Sequence, residues 1–74
     1  YEQAGNYVDA MRQYRRAVNL NRDEHRFHFG LARVYFQLGQ LRMADRELTV
    51  AAELSEGPRR QQYQDKLAAL KRLH

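Results

Sequence analysis

Glu24, His25 and His28 bring three potential metal-ligand residues into one short stretch, and metal binding is the first chemistry their spacing suggests. The two histidines stand three apart and share a helix face, yet two imidazoles with no third firm ligand do not close a tetrahedral site. The expected role is a polar helix start, with no metal and no other cofactor. Catalysis has even less to draw on. The chain has no cysteine, its one serine, Ser55, sits beside the turn residues Gly57 and Pro58, and no glycine-rich phosphate loop is present, so no active site and no enzyme is expected. The stronger pattern is Arg26, Phe29, Arg33, Phe36 and Gln37, whose spacing by three and four puts them on one side of a helix. Guanidinium groups pair with carboxylates and rings supply apolar contact, so these five residues form a candidate partner-binding stripe. The competing expectation is that Phe29 and Phe36 pack against neighbouring helices and leave the arginines as solvated charges.

The elements that must position this stripe are helices. Tyr7, Ala10, Met11, Tyr14, Ala17, Val18 and Leu20 predict a helix over 6–20, opened by a turn at Gly5 and a cap at Asn6. A second helix is expected from a cap at Asp23 to Leu38, with Phe27, Leu31, Val34, Tyr35 and Leu38 on its packing side. Gly39 marks a turn, a third helix runs over about 41–54, and the Ser55 to Pro58 run leads into a last helix over about 58–73. No period-two strand pattern is present, and the short connections predict antiparallel hairpins. Gly5, Tyr7, Ala10, Tyr14, Ala17 and Leu20 return as Gly39, Leu41, Ala44, Leu48, Ala51 and Leu54, each 34 residues later. A period of that length marks stacked helical hairpins that cover one another's apolar faces.

At these residues the chain resembles the tetratricopeptide repeat family. In the complete copy Leu31, Tyr35, Ala44, Leu48 and Ala51 stand at the family's Leu, Tyr, Ala, large apolar and Ala positions, while His28, Ala32 and Glu56 replace its Trp, Gly and Pro. In the partial first copy Tyr1, Ala10, Tyr14 and Ala17 match and Arg22 replaces the Pro, so the resemblance covers residues 1 to about 56. It implies an all-α fold of antiparallel hairpins stacked as a short right-handed solenoid. The expected division of this single domain is a partial repeat over 1–24, a complete repeat over 25–58 and a capping helix over 59–74. It also implies that the stripe of Arg26, Phe29, Arg33, Phe36 and Gln37 lines a concave groove for a protein or peptide. The clamp for chaperone tails used by some members needs an Asn where this chain has Arg33, and is not expected here. An acidic peptide remains a candidate partner through Arg26 and Arg33. Because Tyr1 aligns with the end of a first helix A, further repeats upstream or a second copy of the chain are expected to cover helix B of the partial repeat.

Composition narrows the alternatives. A hydrophobic share of 43% against 30% charged residues fits a folded helical protein and not a disordered one. No apolar run approaches the roughly 18 residues of a membrane span. The net charge of +4 resides wholly in the tail, where Arg59, Arg60, Lys66, Lys71 and Arg72 face only Asp65. A charge excess confined to one terminal helix, instead of recurring per repeat, argues against the reading of a single-stranded nucleic-acid binder. A purely structural or self-association segment is the other alternative to a binding module. The seven-residue spacing of Ala10 to Ala17 and of Ala44 to Ala51 marks a seam of close helix approach. Ala44→Leu is expected to overpack that seam and cost about 1 to 3 kcal/mol, read as a lowered midpoint in a thermal melt; an unchanged melt contradicts the seam.

Overall fold

The computed structural model describes residues 2–73, and side chains from residue 5 to residue 73. Tyr1, assigned above to the end of a first helix, lies outside the described residues. Four helices follow one another: α1 (Glu2–Leu20), α2 (His25–Gln37), α3 (Leu41–Leu54) and α4 (Gly57–Lys71). Between them run connections of four, three and two residues, too short for anything except antiparallel neighbours. Each helix packs on the next, whereas no Cα of α2 comes within 8 Å of a Cα of α4. α3 therefore acts as the spacer that holds α2 and α4 apart.

Local chemistry ends each helix where the chain must turn. After α2, Gly39 takes φ 78°, its N–H donates to the Phe36 carbonyl, and the Gln40 N–H donates to the Tyr35 carbonyl at 2.9 Å. This pair of bonds is a Schellman motif, and its left-handed residue is one that only glycine adopts without strain. At the end of α3 the open carbonyls are served from the following helix: Arg60 Nε donates to Ala52 and Ser55 carbonyls at 3.0 and 2.9 Å. The buried Ser55 hydroxyl adds a bond to Ala52. Pro58 occupies the first turn of α4, where its missing N–H costs nothing.

The core forms on both sides of α3. Leu31 and Tyr35 of α2, Ala44 of α3 and Leu70 of α4 make one cluster, with Met11, Tyr14 and Val18 of α1 packed against it. Ala51, Ala52 and Tyr63 make a second, joined by Phe29 and Leu67. Ala44 and Ala51 are 1% and 0% exposed, as a close approach requires, whereas Ala10 and Ala17, expected at the same seam, remain half-buried. Of the expected packing side of α2, Leu31, Val34 and Tyr35 are buried, while Phe27 and Leu38 remain half-buried.

Several helix boundaries differ from the sequence reading. α1 runs unbroken through Gly5 and Asn6, so neither a turn nor a cap forms there. A helical glycine costs only about 1 kcal/mol relative to alanine, and the left-handed alternative is favoured where a returning helix packs across the turn, as α3 does after Gly39. The cap of α2 is Glu24 and not Asp23, because the Glu24 side chain reaches the Arg26 N–H. α2 and α4 also end slightly early, at Gln37 and Lys71, with Leu38 and Arg72 as their C-caps.

Gly30 is the second glycine whose missing side chain matters. Its Cα lies directly under the Tyr14 ring, and a methyl group added there would run into the ring carbons. Gly30→Ala would gain about 1 kcal/mol of helix propensity but force the ring off its seat at a cost of about 1 to 3 kcal/mol. A net loss near 1 kcal/mol is expected in chemical denaturation, and a more stable variant would show that the α1 to α2 contact yields freely.

Candidate protein-binding groove

α2 turns two faces to the protein. Leu31, Val34 and Tyr35 go into the core, and Phe29, Arg33, Phe36 and Gln37, together with Ala32, line a cavity of about 310 Å³. α3 supplies Ala44 and Leu48, α4 supplies Lys66, Ala69 and Leu70, and Leu73 joins them from just past the end of α4. Four of the five stripe residues thus share one groove. Phe36 on α2 and Leu73 just past the end of α4 are 45% and 58% exposed, so the groove carries large apolar side chains that the fold leaves in solvent.

Arg26 stands apart from that groove. It lies at the start of α2, where its Nε donates to Glu24 Oε1 at 3.2 Å and its backbone N–H donates to the same oxygen. The side-chain hydrogen bond from Arg26 lowers the Glu24 carboxyl below its ordinary value, and Glu24 in turn raises the guanidinium. Both groups are well solvated, so this pair secures a cap and adds little to stability.

Phe29 is half-buried and packs on α4, its ring centre 5.2 Å from that of Tyr63. Two cations lie over the same ring: Arg33 Cζ at 5.8 Å and Lys66 Nζ at 5.6 Å from its centre. Such contacts at exposed sites contribute about 0.5 to 1 kcal/mol each and hold the long side chains in place. Among the described residues neither cation is in an ion pair. Asp65, next to Lys66, accepts instead from the Gln61 amide at 2.9 Å.

The two histidines belong to separate polar pairs. His25 Nδ1 and the Tyr63 hydroxyl form a 2.7 Å hydrogen bond, which serves a phenol only 2% exposed. His28, 6% exposed, lies between two acceptors: Glu47 Oε1 is 2.8 Å from Nδ1, and the Arg22 carbonyl is 2.8 Å from Nε2. One ring thereby joins α2 to α3 and to the loop after α1. Sequence spacing offers no cue for a pairing 19 residues apart. The contribution of α4 and of Leu73 just past it was equally hidden, although Lys66, Ala69, Leu70 and Leu73 do follow the three-and-four spacing of a helix face.

A family model described as TPR repeat matches residues 1–39, more than half of the chain, and the chain belongs to this family. The matched segment spans α1, α2 and the Gly39 turn. Such repeats are in general protein–protein interaction modules and typically non-catalytic. No curated protein and no solved structure matches the chain.

Two substitutions separate packing from groove lining. Phe29→Ala removes the ring between α2 and α4 and is expected to cost about 2 to 3 kcal/mol, whereas Phe36→Ala should stay within about 1 kcal/mol of the parent in the same denaturation experiment. Equal losses would mean that Phe36 is packed as firmly as Phe29. His28→Ala leaves Glu47 and the Arg22 carbonyl without their partner, and a loss of about 2 to 3 kcal/mol is expected; a neutral result would reduce the bridge to a bystander.

Proposed function

We propose that this chain is a binding segment that receives a peptide or a stretch of a partner protein in the groove between α2 and α4, with α3 as its floor. The observation that carries this reading is the exposure of Phe36 and Leu73 on facing walls of an apolar cavity. Ligand sites are concave and mostly apolar with a few placed polar groups, which is the composition of this groove. Within the reading, Phe36, Arg33 and Gln37 contact the partner, Phe29 supports them from below, and Arg26 contributes through the helix cap. α2 and α3 then form the complete repeat over 25–58, α1 belongs to a partial repeat over 1–24, and α4 caps the pair.

The packing of Phe29 on Tyr63 favours a second reading in which the helices only join repeats or copies of the chain. A nucleic-acid role has less support, because Phe29 already packs on Tyr63 and carries Arg33 and Lys66 near its ring, so it is not a freely exposed stacking platform. No described helix is long and apolar enough to cross a membrane.

The test is partner capture by the chain and by a Phe36→Ala, Leu73→Ala double variant. Loss of the captured partner by about tenfold or more, with helicity by circular dichroism unchanged, is the expected outcome. Undiminished capture would move the contact surface elsewhere, and a concentration-dependent dimer in sedimentation that the double variant abolishes would favour the joining role.

A further inference from the structure

We infer that the groove selects a peptide segment carrying an acidic side chain next to a bulky apolar residue, and that Lys66 on α4 shares with Arg33 on α2 the recognition of that carboxylate. The inference rests on the groove reading above and adds the chemistry of its occupant. Arg33 and Lys66 come from different helices yet converge on the ring of Phe29, at 5.8 and 5.6 Å from its centre. Both line the apolar cavity, and none of the residues lining it is acidic. The nearest acid on α4, Asp65, has its carboxylate bonded to Gln61. Two cations without a partner among the described residues thus stand at one end of an apolar trough.

Physical chemistry then constrains the occupant. Like charges brought to one ring repel each other, and a carboxylate bound at this end of the groove offsets that repulsion and gains a charge-assisted hydrogen bond from the guanidinium. Contact with the ring biases both cations toward these positions before binding, so less side-chain freedom is lost when the anion arrives. At the other end Phe36 and Leu73 leave apolar surface exposed, and a cavity of about 310 Å³ suits one or two large apolar side chains. A carboxylate at the Phe29 end and an apolar anchor at the Phe36 end fill both requirements with one short segment. A basic segment would meet two cations at the same place, a repulsion that excludes partners of the wrong sign.

The experiment is selection from a random twelve-residue peptide library, displayed with each peptide tethered through its C-terminus so that every carboxylate offered is a side chain. The 74-residue chain, its Lys66→Glu and Arg33→Glu variants, and the Phe36→Ala, Leu73→Ala variant are the baits. Lys66 and Arg33 are exposed, and circular dichroism of each charge variant checks that its helices are kept. The parent is expected to enrich peptides with Asp or Glu beside Leu, Ile, Phe or Met, and Lys66→Glu is expected to weaken the winners roughly tenfold and to shift enrichment toward Lys or Arg. Apolar winners with no acid preference, or acidic winners indifferent to Lys66→Glu, would overturn the inference and leave the groove reading intact. Winners that bind the Phe36→Ala, Leu73→Ala variant as well as the parent, or no binding by either tethered or untethered peptides, would overturn both. Binding recovered only with untethered peptides would assign the cations to a terminal carboxylate and defeat the side-chain assignment.

Discussion

Close approach at Ala44 and Ala51 is the contact on which the remaining structure depends. α3 touches both α2 and α4, and those two helices do not reach each other through their backbones. With methyl groups at these two positions, 1% and 0% exposed, α3 can sit deep between its neighbours. Its depth sets the floor of the groove, made of Ala44 and Leu48, while the residues on its flanks set the walls. A larger side chain at the seam would move the floor outward and close the cavity from below. Helix packing and the shape of the cavity therefore depend on the same residues.

Around that seam the polar groups are arranged to leave the interior satisfied. Among the described residues no buried side-chain nitrogen or oxygen lacks a hydrogen-bond partner. His28 shows how this is done where the family has a Trp: in place of a large apolar ring, a buried imidazole ties α2 to Glu47 and to the Arg22 carbonyl. Tyr63 solves the same problem with His25. Both bonds are between parts of the chain that local sequence does not relate, and both place a directional restraint on how α2 sits against its neighbours.

The positive charge divides by use. Arg26 is engaged by the Glu24 cap, and Arg60 holds the end of α3 through carbonyl oxygens. Arg33 and Lys66 rest on Phe29 at the groove. The net excess in the tail is thus not a uniform basic surface. Some of it is structural, and Lys66 belongs to the wall of a cavity.

The helices, their order and their turns were legible in the sequence because local rules decide them. Apolar spacing of three and four, the Gly39 stop and the run from Ser55 to Pro58 each act over a few residues, and the 34-residue recurrence made the family recognisable. Gly5 marks the limit of such rules, since it has the same residue type as Gly39 but lacks a helix returning across it, and α1 continues through. The stripe on α2 was legible for the same reason that the helix was, as a matter of periodicity. Which of its members meet in one cavity, the wall that α4 adds, the burial of His28 and the engagement of Arg26 were decided by tertiary structure. Those outcomes depend on distances between helices, and the distances come from how closely side chains on different helices pack, a quantity that no local spacing encodes.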